Sequence, residues 1–220
     1  MIPERTLYLV RHGVTAWNLS GRFSGQRDIP LAPEGELQAR SIGLALKGQV
    51  VRGSAVFASD LRRARVTAEL IAVVCGLDPV IRTSPGWREA SFGEWEGLTW
   101  GEIETAYPEA AGRWSDDYVR RAPPGGESLE ELAVRGGAAI IETVRGDDHS
   151  TGPIIVVTHG GMIRAVLARF ALGDLRRFWD VDAPPGSAVV VSPVIGPFAS
   201  DGTLRLRILS QITPRPGRPT

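Results

Sequence analysis

Lysine is nearly missing from this chain of 220 residues: of its 25 basic side chains only Lys47 is lysine, and the other 24 are arginine. Genome base composition accounts for most of such a skew. Even so, each arginine carries a rigid fork that grips phosphate or carboxylate better than an ammonium does. Cysteine is as scarce. Cys75 stands alone, which excludes an intramolecular disulfide and a thiolate metal cluster, and its apolar surroundings from Leu70 to Leu77 make it a small buried residue. Long hydrophobic runs are absent. The apolar run from Leu7 to Val10 is too short for a signal-peptide core, and nothing approaches the ~20 residues of a membrane span. A cytoplasmic protein without a membrane partner is the expectation. Net charge is missing too: 25 basic residues balance 25 acidic ones, which argues against a nucleic-acid or anionic-membrane surface.

The charge that is present is unevenly placed. Residues 1–88 carry 12 basic and 7 acidic side chains, residues 89–131 carry 3 and 11, and residues 132–220 carry 10 and 7. A length of 220 residues suits one α/β domain with a sizeable core. Short apolar segments read as strands at Leu7–Val10, Ala55–Ala58, Val80–Thr83, Ile154–Val157, Ala188–Val191 and Leu204–Leu209. Between them, Pro33 opens a helix to about Leu46, and Ser59-Asp60 are N-cap candidates for a helix to about Val74. Residues 13–31 read as a long loop. Thr99 with Glu102, and Ser128 with Glu131, have capping-box spacing, so helices are expected to start near 100 and 129. Alternating strands and helices predict a three-layer α/β/α domain with a mostly parallel sheet over residues 1–212. The acidic segment at about 90–130 would be a small, mainly helical cover, and residues 213–220 a disordered tail.

Two of the three histidines directly follow strand carboxyl ends, where ligands of open α/β sheets bind. His12 and His159 are each followed by glycine, which lets backbone amides approach a ligand closely. Arg11 adjoins the first. Arg62, Arg63 and Arg65 fall in the opening turns of the helix after Asp60, where the helix dipole also favours an anion. Converged, these groups would surround a phosphoryl dianion. His149, in Gly-Asp-Asp-His-Ser-Thr, reads as a solvated loop residue.

These segments resemble the histidine phosphatase superfamily, which includes the cofactor-dependent phosphoglycerate mutases. The likeness is carried by Leu9-Val10-Arg11-His12-Gly13-Val14-Thr15-Ala16-Trp17-Asn18 and Arg22-Phe23-Ser24-Gly25. It continues in Ser59-Asp60-Leu61-Arg62-Arg63-Ala64, in Arg88-Glu89 with Phe92-Gly93-Glu94-Trp95-Glu96-Gly97, in Gly125-Gly126-Glu127-Ser128 and in Val157-Thr158-His159-Gly160-Gly161. The resemblance implies a phosphoglycerate mutase-like fold and a metal-independent phosphatase with no cofactor. His12 would be the nucleophile, forming a phosphohistidine. Arg11, Arg63 and His159 would hold the nonbridging oxygens, and Glu89 would be general acid and base. Asn18, Ser24, Gly25 and Gly160 would line the substrate site. Arg120 and Arg121 interrupt the acidic cover and are candidates for a substrate carboxylate or phosphate. Trp95 and Trp100 read as packing residues.

A mutase is the alternative. Mutases of the family carry a lysine where this chain has Trp100, and follow the second histidine with Gly-Asn, whereas here Gly160-Gly161 stand. Both departures favour the phosphatase branch, with α-ribazole, glucosyl-3-phosphoglycerate or broad-specificity members as models. A non-catalytic phosphate-binding module is a remote reading, because every expected reacting residue is present. A metallohydrolase lacks a ligand cluster, and a nucleotide-binding P-loop lacks its glycine-lysine signature. The expected partner is a small phosphorylated metabolite; a monomer and a homodimer are both compatible with the sequence.

Overall fold

Apolar residues at every position of the interior strands require a sheet buried on both faces, and the computed structural model has that arrangement. It describes residues 5–77, 80–147, 152–195 and 204–214; His149 and residues 215–220 of the tail lie outside them. Six strands form one sheet: β1 (Leu7–Arg11), β2 (Val56–Ser59), β3 (Ile81–Ser84), β4 (Ile154–Thr158), β5 (Ala188–Ile195) and β6 (Leu204–Ile212), ordered β3-β2-β4-β1-β5-β6. The first four run parallel, while β5 is antiparallel to β1 and β6 to β5. The two late strands are longer than expected, because the pairing of β5 with β6 continues through polar residues such as Ser192, Ser210 and Gln211.

Alternate strand residues face opposite layers. Leu7, Leu9, Ile154, Val156, Val189 and Val191 pack under α6 (Leu129–Arg145) and α7 (Gly160–Phe170). Tyr8, Val10, Ile155, Val157, Ala188 and Val190 pack under α2 (Pro33–Leu46) and α3 (Arg62–Cys75). A third, small core of Trp95, Ile103 and Ala111 belongs to the acidic cover, with α4 (Trp100–Ala106) and α5 (Pro108–Asp116) around it. Trp95 is fully buried there and Trp100 packs against it, as packing residues should. Both expected capping boxes form, at Thr99/Glu102 and Ser128/Glu131.

Two local expectations are corrected. The loop over 13–31 contains a short helix α1 (Ala16–Leu19), started by a capping box between Thr15 and Asn18. The second correction concerns α3, whose N-cap is Leu61 rather than Ser59 or Asp60. Asp60 is drawn away by the fork of Arg88, at 2.7 and 2.6 Å. The first-turn amide of Arg62 is satisfied instead by Asp28, from the distant loop, at 2.6 Å. Among the described residues, no helix is long and apolar enough to cross a membrane.

Candidate active site

Register places the two histidines together. Arg11 pairs with Thr158 at the ends of β1 and β4, so the next residue of each chain segment, His12 and His159, leaves the sheet at the same edge. The His12 amide still reaches the Thr158 carbonyl at 3.0 Å, and the two rings lie edge to face with centroids 5.0 Å apart. His12 Nδ1 is 2.6 Å from the Gly13 carbonyl. A carbonyl only accepts, so Nδ1 carries the hydrogen and Nε2 keeps its lone pair. That lone pair faces the Arg63 Nε–H at 3.2 Å. Burial pushes the His12 imidazole well below its usual pKa, and the charges of Arg63 and Arg11 push the same way. His12 is therefore neutral at neutral pH, with Nε2 as its free basic atom. Gly13 permits this placement, because a Cβ there would strike the Gly35 backbone at the start of α2.

The arginines divide their work. Arg63 is sealed from solvent and holds the Arg27 and Gly25 carbonyls with its terminal nitrogens, at 2.6 and 2.7 Å. Its fork thus fixes the loop around Ser24 and Gly25, while its Nε addresses His12. Arg11 donates one terminal nitrogen to the Ala183 carbonyl at 2.7 Å, and its guanidinium lies flat against Gly160, where any Cβ would collide. Burial lowers the pKa of both guanidinium groups, and the charge of Glu89 partly offsets that. Arg11 Nε, Ser24 Oγ and both ring nitrogens of His159 are buried with no protein partner. Orphaned buried polar atoms are rare in folded proteins and call for an explanation. Burial, followed by the charge of Arg63 and then of His12, also pushes His159 well below its usual pKa.

Glu89 sits on the amino end of α7. Its carboxylate accepts from the amides of Gly161 at 3.0 Å, Met162 at 3.1 Å and Ala90 at 3.0 Å. A Cβ on Gly161 would strike its Oε1, so both glycines after His159 are spatial necessities: one seats Arg11 and the other seats Glu89. His12, Arg11, Arg63, Glu89, His159 and Gly160, with the Ser24–Gly25 loop, are thus brought into one cluster. Asn18 is first a cap, its Oδ1 accepting from the Thr15 amide at 3.0 Å. Arg120 and Arg121 make no contact with the cluster among the described residues. Arg120 is exposed beside Glu130, 3.7 Å away, on a surface cleft shared with Asp117, Arg169 and Arg176.

Several supporting residues carried no distinguishing mark in the sequence. Arg135 of α6 donates to the Gly86, Arg88 and Glu89 carbonyls at 2.9–3.1 Å and pairs with both oxygens of Glu127. It holds the segment bearing Glu89 in place. Its place in mid-helix, away from the last turn where the helix's other arginine, Arg145, stands, was the available signal. Gln26 braces the Glu89 carbonyl at 3.2 Å, and Glu96 accepts from the Gln26 amide at 2.9 Å. Among the described residues, no three His, Cys, Asp or Glu side chains are grouped to hold a metal ion.

Known proteins resemble this chain. The model of the histidine phosphatase superfamily (branch 1) fits residues 7–197. A metal-independent phosphoserine phosphatase of Arabidopsis thaliana is 40% identical over 164 residues, 74% of this chain and 67% of that protein. A 2,3-bisphosphoglycerate-dependent phosphoglycerate mutase of Gloeobacter violaceus is 34% identical over 163 residues, 73% of each chain. Among solved structures, a mycobacterial glucosyl-3-phosphoglycerate phosphatase crystallised with vanadate (VO3) superimposes with a TM-score of 0.78 at 31% identity, covering 93% of this chain and 97% of the other.

Proposed function

The chain belongs to the histidine phosphatase superfamily, branch 1, and on that premise we propose that it hydrolyses a small phosphomonoester through a phosphohistidine on His12. The observation that carries this reading is the neutral, Nε2-basic His12 ringed by buried donors without protein partners. A phosphoryl dianion supplies the acceptors those donors need. His12 Nε2 attacks phosphorus in line. The P–O bond breaks, and the leaving oxygen takes a proton delivered by Glu89. Water then attacks the phosphohistidine and gives its proton to Glu89, and the N–P bond breaks to return neutral His12 and inorganic phosphate. Arg11, Arg63 and His159 stabilise charge on the nonbridging oxygens, and no step calls on a metal or cofactor.

His12→Ala is expected to lower kcat on an aryl phosphate by at least about 1000-fold, and full activity in that variant would sink the assignment. A mutase reading has the Gloeobacter relative in its favour. Against it, Trp100 stands among Trp95 and Trp114 in the cover's core, which leaves no cation at the position where mutases carry lysine. Phosphoglycerate interconversion as fast as phosphate release would favour the mutase. The zero net charge and single cysteine support a cytoplasmic enzyme whose partner is a phosphorylated metabolite, not nucleic acid or membrane.

A further inference from the structure

Residues four apart share a helix face, and a helical side chain leans toward the amino end. On α7 this puts Arg164 on the same face as Gly160, the residue against which Arg11 lies. The two arginines are anchored alike. Arg11 donates to the Ala183 carbonyl at 2.7 Å, and Arg164 Nε donates to the Val181 carbonyl at 3.0 Å. Carbonyls two residues apart lie no more than about 7 Å from each other, so the two arginines are anchored on neighbouring points of one backbone segment. Their charges oppose one another enough to depress the Arg11 pKa, after the larger effect of burial.

Arg164 is held rigidly yet left unused. Its guanidinium stands 5.9 Å from the Phe178 ring centroid and 5.5 Å from that of Trp179, a contact that fixes the plane of the fork. Trp179 is 62% exposed despite its size. It is linked through Tyr118, 6.5 Å away between centroids, to the cover segment. Among the described residues no carboxylate forms a salt bridge with Arg164, and its terminal nitrogens have no hydrogen-bond partner. The exposed Asp182 lies near Arg11 without pairing to either arginine.

We propose that Arg164, set between the Val181 carbonyl and the rings of Phe178 and Trp179, is a specificity residue that takes the carboxylate of a phosphomonoester whose phosphoryl group lies on Arg11 and His12. This rests on the phosphatase reading and narrows its substrate class to short phosphorylated acids, since the two arginines are anchored on carbonyls two residues apart. It also moves to Arg164 the carboxylate role for which the sequence offers Arg120 and Arg121.

The test uses the full chain and two substrates that differ only in the carboxylate, O-phosphoserine and O-phosphoethanolamine, with kcat/KM read from phosphate release. The wild-type enzyme is expected to prefer phosphoserine by about 10- to 100-fold, the worth of a charge-assisted pair. Arg164→Gln is expected to erase most of that preference, chiefly through KM on phosphoserine, and Arg164→Lys to keep part of it. No preference in the wild type, or an equal loss on both substrates in Arg164→Gln, overturns the proposal. A missing preference in the wild type overturns the proposal whatever the variants do, and where Arg164→Gln fails to fold, Arg164→Lys carries the test: an undiminished preference there overturns it. Hydrolysis of an aryl phosphate with no carboxylate preference sinks this inference alone, whereas failure to hydrolyse any phosphomonoester sinks the phosphatase reading beneath it.

Discussion

At the scale of single residues, His12 and His159 tie stability to pH. Both are buried and held well below the usual histidine pKa. As the pH falls through about 6.5, the unfolded chain takes up protons at these positions and the folded chain refuses them. Stability is therefore fully present above that pH and is lost below it, by up to about 1.4 kcal/mol per pH unit for each histidine. Urea unfolding at pH 7.5 and 5.5 measures this. His159→Gln is expected to show a smaller loss between the two than the wild type, and an equal loss would mean that His159 is not held neutral. That these two histidines would stand at neighbouring strand ends was legible because it depends on type and order: histidine, then glycine, at the end of an apolar strand. Partnership was less legible. Asp60 looks like a cap from its place before a helix, but the choice between an amide and the fork of Arg88 is made by a residue 28 positions away. Asn18 adds a local role that the sequence reading did not assign, its oxygen capping a short helix from three residues on.

Elements decide whether those residues meet. The parallel register of β1 and β4 brings His12 and His159 together, and the amino end of α7 receives Glu89 from a segment 72 residues earlier in the chain. Strand composition and capping boxes made the individual elements readable. Their order across the sheet was not, because neighbouring strands in space are set by crossovers rather than by local pattern. The start of α7 gives a sharp test of the arrangement. Gly161→Ala raises local helix propensity, yet the added methyl collides with Glu89 Oε1. Displacing a catalytic carboxylate by about 1 Å costs on the order of 100-fold in rate. Steady-state assay on an aryl phosphate should show kcat falling by that order while thermal unfolding shows the fold kept. Wild-type kcat in this variant would mean that Glu89 has no catalytic need of its seat on α7.

Across the whole molecule, the zero net charge conceals a division that the fold puts to use. The basic first part and the acidic cover are tied by Arg22 to Glu102 at 2.7 Å and Arg27 to Glu96 at 3.4 Å, and within the later chain Arg135 holds Glu127 at 2.7 Å. The exposed pair of Arg22 with Glu102 contributes little stability, while the pairs of Arg27 with Glu96 and Arg135 with Glu127 are partly buried and fasten the segments next to Gln26 and Glu89. Part of the acidic charge is thus committed to arginines of the same chain, and among the described residues no three carboxylates are grouped to hold a cation. In the proposed mechanism the positive charge for the phosphoryl group comes from Arg11 and Arg63, which are fixed in place and remain charged at any working pH. Phosphate release in the presence of excess chelator should therefore match the untreated rate, with no stimulation by added magnesium or manganese. A loss of activity on chelation, restored by one of those ions, would mean that the arginine pair does not suffice and that the mechanism built on it is wrong.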